Sequence, residues 1–518
     1  MRDQQSRAGL AELVELAQGG RRVSARHGSC GNKRRRHHDR ADRRDPPVLA
    51  APKVIAGALN KHYDLPQVQY KGTGIVPFTA MAILFFAGRF VLRAMRAGDA
   101  GHVMIAAWAL TLAAVTVQLA LSVWDRPARV SPGRTARLAR LNVIAVIPVY
   151  NEDPEVLDRS IWSLANSSRP PDHIHVVEDG PSEDYSALRA HWRQHPSVTW
   201  DQLPENQGKR CAHAHGFRAH PSADVFVTVD SDTAVEHHAL EEALKPLSDR
   251  RVMSVAFIEE IINKRANLLT WVSQSASLII QFGAWGAQSA LGDVIVNRGT
   301  CALYRASVIR EIIPAYVGET FLGHPIKLGD DSALTLFARA RGRTVQQVSA
   351  FSLPVYPETL YHHVRQRLRW ARGSTLRHVW RLRYLSPLSY AWWFVAVYVF
   401  LTFLSAGALA VLAVTWPHSA LALAAMVSAL ALSGYATAFR ALCAHRSDDT
   451  WRDRAVQFAL APVAWLWLFT ALRLVRYYGI VTCMRQSWVT RQHGAEVWLE
   501  HGGEPAEVTD LRSQEAVG

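Results

Sequence analysis

The stretch ADVFVTVDSDT, Ala223–Thr233, joins a continuous apolar run to two carboxylates. A short run of Val and Phe bounded by polar residues is typical of a strand buried on both faces of a sheet. Asp230 and Asp232 follow this strand directly, and two oxygen ligands at that spacing suit a hard divalent ion shared with a phosphate. The same triplet also occurs in ordinary turns, so its meaning depends on the neighbouring segments. A calcium loop is disfavoured, because the rest of that motif is missing.

Two earlier segments have the same construction, an apolar run that ends in acidic residues. NVIAVIPVY (142–150) leads into Asn151–Asp153, and HIHVVEDG (173–180) ends in Asp179 and a glycine. Amphipathic patterns over EVLDRSIWSLAN and SALRAHWRQH separate the runs, and strands that alternate with helices predict a mostly parallel sheet. Ligands bind beyond the carboxyl ends of the strands in such sheets. We therefore predict an α/β domain over residues 141–385, with a ligand site at these acidic strand ends.

Two further segments carry charges suited to this site. Lys209 and Arg210, in NQGKR between the second and third strands, either offer positive charge to a nucleotide or form a solvated loop. Asp330 and Asp331 precede the amphipathic pattern SALTLFARARG, where helix capping explains one aspartate. Two adjacent acids exceed what a cap requires, so one of them is a candidate to deprotonate an attacking hydroxyl.

HHVRQRLRWARGS, His362–Ser374, lies shortly before a long apolar segment. On a helix, one face of this stretch carries an amide, a guanidinium, an indole and a glycine: Gln366, Arg369, Trp370 and Gly373. Arginine binds phosphate oxygens in a bidentate manner, and an indole ring is a flat platform for a sugar. A flank that only orients a membrane span requires the charges but not the Gln and Trp. That simpler interpretation is kept for the remaining arginines: Arg365, Arg367 and Arg372.

Apolar runs outside the central block predict an integral membrane protein. Five of them approach the roughly 20 residues needed to cross a bilayer: Ile75–Leu92, Val103–Trp124, Ala391–Trp416, Leu421–Phe439 and Ala455–Tyr478. So many long runs exceed what the core of a soluble protein needs. We predict two transmembrane helices over residues 74–124 and three or more spans over residues 391–483.

Basic residues set the expected orientation. The N-terminal tail is rich in Lys and Arg, and five arginines follow Trp124 within the next sixteen residues. Positive-inside reasoning therefore places the tail and the central block in the cytoplasm of a multi-pass plasma-membrane protein. Three later spans would put the C-terminus outside, whereas the arginines from Arg473 to Arg491 argue for inside. Pro462 and Gly479 are compatible with two short or re-entrant passes, so the side of the C-terminus stays open.

Charge, cysteine and histidine content indicate what the terminal segments are and which metal or disulfide sites to expect. The chain has a formal net charge of +14, and its first 53 residues hold 13 Lys and Arg against 6 Asp and Glu. No secretory signal is found there, and GNKRRRHHDRADRR is compatible with nucleic acid or anionic lipid. We interpret residues 1–70 as a disordered cytoplasmic tail or an overlong gene start, and residues 484–518 as a polar tail. No nucleic-acid partner is expected. Five scattered cysteines and histidine doublets without metal-ligand spacing predict neither disulfides nor a zinc site.

Six motifs occur in the order, and near the spacing, of the processive family 2 glycosyltransferases: PVYNED, VVEDG, NQGKR, VDSDT, LGDDSALT and QRLRW. Over about residues 145–375 the chain resembles these membrane-embedded synthases of hyaluronan, chitin, chito-oligosaccharides and cellulose. QxxRW after an acid pair is a specific combination, much stronger than DxD alone. The chain looks most similar to hyaluronan synthases, because of its two early spans, the GDDxxLT form, NRGTCALYR, and SWVTR near the end.

The resemblance implies a GT-A-type nucleotide-sugar-binding domain inserted between N- and C-terminal transmembrane helices, with an interfacial helix around residues 362–380. It implies a set of residues that bind the UDP-sugar: Tyr150, Glu152, Asp179, Lys209, Asp230, Gln366 and Arg369. Asp230 and Asp232 would also bind Mg²⁺ or Mn²⁺. Asp331 would be the general base on the acceptor hydroxyl, and Trp370 would stack on the acceptor sugar. The implied reaction is an inverting transfer that polymerises sugar and exports the polysaccharide through the C-terminal spans.

Four positions depart from the hyaluronan synthase pattern. Ser332 stands where Arg is usual, Arg367 gives the QRxRW form of cellulose synthases, NRGT replaces Ser-Gly-Pro, and SWVTR lacks a Gly. The donor therefore stays open between UDP-GlcNAc, with or without UDP-GlcUA, and UDP-glucose as in a β-glucan synthase. A non-processive transferase to a lipid carrier and a membrane scaffold with an inactive domain are also compatible with the sequence. The oligomeric state is not given by the sequence.

Overall fold

The computed structural model describes residues 62–72, 79–82, 84–86, 88, 89, 93, 102–415 and 420–486. Most of the basic tail, part of the predicted span Ile75–Leu92, and the SWVTR segment lie outside the described residues, as does nearly all of the polar tail.

An eight-stranded mixed sheet forms the centre of the described chain. Its strands, in spatial order, are Val198–Gln202, His173–Glu178, Val143–Val149, Val225–Val229, Cys301–Arg305, Val252–Glu259, Arg343–Pro354 and Thr233–Val235. The first four are mutually parallel, as the alternation of strands and helices predicts. Cys301–Arg305 runs antiparallel to both of its neighbours, and the last pair of strands is also antiparallel. The predicted α/β class is confirmed, with a sheet that becomes mixed beyond Val225–Val229.

Short antiparallel pairs and helices complete the described architecture. The two small sheets pair Val68–Tyr70 with Ala444–Arg446, and Thr320–Phe321 with His324–Pro325. The helices are His102–Ser122, Pro132–Ala139, Pro154–Ala165, Ser186–Trp192, Lys209–Ala219, Ala239–Leu244, Leu268–Ile280, Gly286–Leu291, Ala306–Val317, Asp330–Arg341, Leu360–Tyr384, Tyr390–Thr415, Ala420–Ala441, Trp451–Ala459, Ala461–Phe469 and Ala471–Val481. A 3₁₀ turn covers Lys245–Ser248 and a π-helical segment covers Gln281–Trp285.

The strand Val143–Val149 shows why the apolar runs are continuous. Every residue of this strand is buried, because helices cover both faces of the sheet. Side chains of successive strand residues point to opposite faces and so enter different cores. Ile147 belongs to an apolar cluster with Leu157 and Ile161, whereas Val146 belongs to a second cluster on the other face with Phe217.

Two helices among the described residues are long and apolar enough to cross a bilayer, by length and composition: Tyr390–Gly407 and Trp451–Val481. Ala109–Ser122 is a shorter apolar helical stretch. Trp451–Val481 is divided into three consecutive helices at Leu460 and Thr470. The multi-pass arrangement therefore stays a prediction, and the topology of the C-terminal region stays open.

The helix predicted around residues 362–380 is observed as Leu360–Tyr384. It begins after Thr359, whose hydroxyl accepts a hydrogen bond from the backbone N–H of His362. Its middle packs against the helix Ala471–Val481, and Arg372 Nε donates to Thr482 Oγ1 at 3.0 Å. Leu360–Tyr384 thus connects the apolar C-terminal helices to the sheet domain.

Candidate active site

Nine of the ten residues predicted for the site line one cavity of about 1630 Å³. They are Tyr150, Asp179, Lys209, Asp230, Asp232, Asp331, Gln366, Arg369 and Trp370. The strand ends, the first turns of two helices and one face of Leu360–Tyr384 supply these side chains. The tenth residue, Glu152, is buried beside the cavity.

The side chain of Lys209 lies between carboxylates at the end of a strand and at the start of a helix. Its ammonium nitrogen lies 2.5 Å from Asp230 Oδ1 and 3.1 Å from Asp330 Oδ2. Burial acts to lower the pKa of Lys209, but the two carboxylates outweigh burial and raise this pKa well above its usual range. Lys209 is therefore a fixed positive charge in the site, and its interpretation as part of a solvated loop is wrong.

Four carboxylates line the cavity that contains this lysine: Asp230, Asp232, Asp330 and Asp331. Lys209 contacts two of them, Asp230 and Asp330. Burial raises the pKa of Asp230 to about 6; Lys209 opposes the rise, and Asp232 and Asp330 add to it. Lys209 therefore only partly offsets the effects of burial and of the neighbouring carboxylates on Asp230. The backbone of Gly299 lies close to this pair, because a Cβ there would be 3.4 Å from Asp230 Oδ2 and 3.7 Å from Lys209 Nζ. Carboxylate oxygens that repel one another are the ligands that a divalent ion such as Mg²⁺ or Mn²⁺ prefers, so the chemistry of this group fits such an ion.

Glu152 and Asp179 hold the loops that carry these charges. Glu152 Oε2 accepts a hydrogen bond from Ser231 Oγ at 2.8 Å, which fixes the middle of the Asp-Ser-Asp triplet. Asp179 accepts from the backbone N–H groups of Gln207 and Gly208 at 2.8 and 2.9 Å, directly before Lys209. The uridine contacts predicted for Tyr150, for Glu152 and for Asp179 stay predictions.

Asp331 lies in the first turn of the helix Asp330–Arg341, after Gly329 in the left-handed conformation at φ 72°. Burial, with the negative charge of Asp330 beside it, raises the pKa of Asp331 to about 7. Burial also acts to raise the pKa of Asp330, but Lys209 and His213 reverse that effect and hold it well below the usual range. One acid of the pair is thus a permanent anion, and the other is suited to exchange a proton near neutral pH.

A buried ion-pair bridge joins the start of one helix to the middle of another. The Arg210 guanidinium lies 2.6 Å from Glu319 Oε2, and the Arg377 guanidinium lies 2.5 Å from Glu319 Oε1. Arg210 also donates to the backbone carbonyl of Leu328, immediately before Gly329. Arg210 therefore positions the acid-pair loop, and its interpretation as a solvated loop residue is wrong as well.

Leu360–Tyr384 presents the predicted polar face to the cavity. Gln366 Oε1 is buried without a hydrogen-bond partner among the described residues, and Gln366 lines the cavity. Trp370 keeps 41% of its surface exposed, which leaves its ring accessible to a ligand. Arg369 lines the same cavity beside them. The amide oxygen can accept a hydrogen bond from a ligand, and the indole ring is accessible to one. The contacts predicted for Gln366, Arg369 and Trp370 stay predictions.

Arg367 is the one arginine of this stretch whose sequence interpretation is wrong. Its guanidinium carbon lies 4.7 Å from the centroid of the Trp370 ring, and its side chain lines the cavity. The helix places residue 367 one turn before residue 370, so its charge faces the site rather than a membrane flank. Arg365, by contrast, donates to Tyr361 at the exposed start of the helix.

Sequence reasoning missed a second arginine, Arg298, in the segment NRGT. Its guanidinium donates to the buried carboxylate of Glu259 and lies 4.4 Å from the centroid of the Trp285 ring. Thr300 also donates to Glu259, at 3.0 Å, and the backbone carbonyl of Thr300 accepts from the N–H of Asp230. In the sequence, the one indication of this contact between Arg298, Thr300 and Glu259 is that NRGT stands where hyaluronan synthases usually have Ser-Gly-Pro.

The cavity continues from the polar site between apolar helices. Its far part is lined mainly by aromatic and aliphatic side chains: Trp393, Tyr398, Leu401, Phe469 and Leu472. The Arg476 guanidinium carbon lies 5.4 Å from the Tyr398 ring centroid, so this part also holds a cation against an aromatic surface. One continuous space therefore joins the acidic strand ends to the candidate membrane helices.

Comparison with known proteins identifies the class of the domain. Residues 144–313 match the family described as glycosyl transferase family 2. The chain is 35% identical over 241 residues to a hyaluronan synthase of Streptococcus pyogenes, covering 45% of this chain and 56% of that protein. It is 32% identical over 272 residues to an N-acetylglucosaminyltransferase of Rhizobium meliloti (strain 1021), covering 51% and 63%. The chain spans between about half and two thirds of the length of these relatives, and the resemblance found in the motifs is confirmed.

Among solved structures, a mannosyltransferase from Pyrobaculum calidifontis in complex with GDP-Man and Mn²⁺ is similar, with a TM-score of 0.45 and 20% identity. The similarity covers 74% of this chain and 99% of that one. The family match and the observed sheet support a GT-A-like α/β domain.

Gly373 sets the distance between Leu360–Tyr384 and the acid pair. A Cβ at this position would lie 3.3 Å from the backbone nitrogen of Gly329 and 3.4 Å from Leu328 Cβ. We predict that Gly373→Val displaces the helix from the acid-pair loop and lowers kcat for sugar transfer by about 10- to 100-fold. Gly407→Val is the matched control, because nothing lies within 4 Å of a Cβ at Gly407. Equal kcat for both variants in a purified-enzyme assay would contradict the role of Gly373.

Proposed function

Taking the chain as a glycosyltransferase with a family 2 domain, we propose that it is a processive, inverting synthase. It polymerises sugar from UDP-sugar donors and exports the polysaccharide across the plasma membrane. The observation that carries this proposal is the continuity of the cavity from the acid pair at Asp330 and Asp331 to the apolar helices that follow residue 390. A transferase that adds a single sugar has no need of a passage that leads away from its catalytic acid.

The donor contacts follow from the charges that line the cavity. We assign the UDP moiety to the strand-end side, with Lys209 and Arg369 as its cationic partners. Gln366 offers a buried amide whose oxygen meets no donor within the described chain, and Tyr150 offers an aromatic ring at the end of the first strand. Similarity to hyaluronan synthases and rhizobial N-acetylglucosaminyltransferases supports UDP-GlcNAc as a donor, with or without UDP-GlcUA.

Asp230 and Asp232 are the residues that would hold a divalent ion, Mg²⁺ or Mn²⁺. When bound, such an ion neutralises the charge that develops on the diphosphate leaving group. Lys209 keeps Asp230 in place and adds positive charge on the same side. Glu152 holds Ser231, and so it orients both aspartates of the triplet.

Asp331 and Trp370 have separate roles in the transfer of the sugar. The acceptor hydroxyl oxygen attacks the anomeric carbon as the bond from that carbon to the UDP oxygen breaks, and UDP leaves with the bonding electrons. Asp331 accepts the hydroxyl proton, for which a pKa of about 7 is well matched. Trp370 stacks on the acceptor sugar and keeps its hydroxyl near Asp331. The lengthened chain moves into the apolar part of the cavity, which excludes water from the reaction.

Membrane vesicles supplied with radiolabelled UDP-sugars, singly and in pairs, test this proposal. We expect a high-molecular-weight polymer in the vesicle fraction that requires UDP-GlcNAc, and digestion with linkage-specific hydrolases identifies it. Asp331→Asn should reduce incorporation by at least about 100-fold, because the base is lost while the shape of the side chain is kept.

Each competing function predicts a different product in the same vesicles. A single transferred sugar would overturn the processive proposal, polymer from UDP-glucose alone would indicate a β-glucan synthase, and label in a lipid carrier would indicate the non-processive transferase. Full incorporation by Asp331→Asn would remove Asp331 from the mechanism.

The pH dependence of transfer reports on Asp331. Its carboxyl pKa is raised to about 7, so the carboxylate that accepts a proton is lost as the pH falls through 7. We predict that kcat/KM at saturating divalent ion declines about tenfold per pH unit below that value and is level above it. Asp331→Glu should keep an acidic limb at a shifted pH. A profile that is level from pH 6 to 8 would contradict the assignment of the general base.

A further inference from the structure

Three side chains outside the cavity form a compact group of potential metal ligands. His175 lies on the strand His173–Glu178, Asp201 on the neighbouring strand Val198–Gln202, and His215 on the helix that packs over them. One ligand atom from each side chain lies within 4.8 Å of the other two. None of these residues belongs to the transferase machinery described above, and their separation along the chain hides the group from sequence spacing.

The contacts within the group converge on one oxygen atom. Asp201 Oδ2 lies 3.1 Å from His175 Nε2 and 2.8 Å from His215 Nε2. A tetrahedral Zn²⁺ ion with bonds of about 2.0–2.1 Å places its ligand atoms roughly 3.3 Å apart. The two imidazole–carboxylate distances are therefore within about 0.5 Å of this value, and the two imidazole nitrogens lie within 4.8 Å of each other. The ion would take the place of the contacts that now join the imidazoles to the carboxylate.

A metal site also needs a hydrogen-bond partner that orients the ligand ring and a path by which the ion can enter. The His175 side chain is 1% exposed, and its other ring nitrogen, Nδ1, lies 3.0 Å from His220 Nε2. A metal-bound imidazole usually donates its second N–H to such a partner, which fixes the orientation of the ring. Asp201 and His215 each remain 41% exposed, so an ion can enter from solvent and keep a water as its fourth ligand.

We propose that His175, Asp201 and His215 bind a divalent transition-metal ion, with Zn²⁺ as the natural ion for two imidazoles and one carboxylate. The ion would tie the helix Lys209–Ala219 to two strands of the sheet. His215 lies six residues after Lys209 on that helix, about 9 Å along its axis. Metal binding would thus stabilise the element that presents the central lysine of the active site.

Spectroscopy with Co²⁺ and binding of Zn²⁺ by the purified full-length protein in detergent test the proposal. Mg²⁺ is kept in excess so that the carboxylate site at Asp230 and Asp232 is occupied. We expect the wild type to bind one Zn²⁺ with a rise in Tm, and Co²⁺ to give the visible absorption of a tetrahedral site. His215→Gln and Asp201→Asn should weaken binding by at least about 100-fold.

His238→Gln is the matched control, because the His238 side chain is 56% exposed and lies outside the group. It should bind Zn²⁺ as the wild type does. The substituted ligands are both half exposed, so the variants should keep the metal-free Tm of the wild type and still transfer sugar. Absence of the tetrahedral Co²⁺ spectrum in the wild type, or equal Zn²⁺ binding by His215→Gln, would overturn the proposal. Neither result bears on the sugar transfer itself.

Discussion

A single buried ammonium group, Lys209 Nζ, holds the active site together. It bridges Asp230, at the end of a central strand, and Asp330, at the start of a helix one hundred residues later. Removing the lysine would leave neighbouring carboxylates buried without a partner, which costs far more than the loss of an exposed ion pair. The two adjacent acids differ because Lys209 outweighs burial and lowers the pKa of Asp330, whereas burial and the negative charge of Asp330 raise the pKa of Asp331.

A second buried ion-pair bridge, centred on Glu319, connects the Lys209 helix to the helix that packs against the apolar C-terminal helices. Burial acts to raise the pKa of Glu319, but Arg377 and Arg210 lower it to about 2, so this glutamate is a permanent anion between two arginines. Arg210 follows Lys209 on one helix, and Arg377 belongs to the helix that carries Trp370. The part of the cavity at Lys209 and the part at Trp370 are therefore connected by one set of buried ion pairs. Packing of the same helix against Ala471–Val481 extends the connection to the apolar helices.

Much of this arrangement was predictable from local sequence patterns. Buried strand runs fix the parallel half of the sheet, and acids that follow parallel strands must meet at one edge, which brings Asp179, Asp230 and Asp232 together. The face shared by Gln366 and Trp370 follows from helical spacing alone. Both predictions rest on patterns within single segments, and the observed strands and helix agree with them.

The remaining features depend on contacts between distant segments. Arg367 lies in a basic stretch of the kind that flanks a membrane span, and only its packing against Trp370 assigns it to the cavity. Arg298 lies in the loop before the strand Cys301–Arg305, and Glu259 ends the strand Val252–Glu259, so no spacing rule connects them. His175 and His215 are brought together by the fold of a helix over two strands. The division of the last apolar run into three helices likewise reflects local breaks at Leu460 and Thr470 rather than its mean hydropathy.

The central claim is that the acids around Lys209 form the nucleotide and metal site. Calorimetric binding of UDP to the purified protein, with Mn²⁺ and with a chelator instead, tests it most directly. UDP should bind at least roughly tenfold more tightly with Mn²⁺, a difference of about 1.4 kcal/mol or more, and Asp232→Asn should abolish that difference. Equal affinity for UDP with and without the ion, in both the wild type and the variant, would contradict the claim.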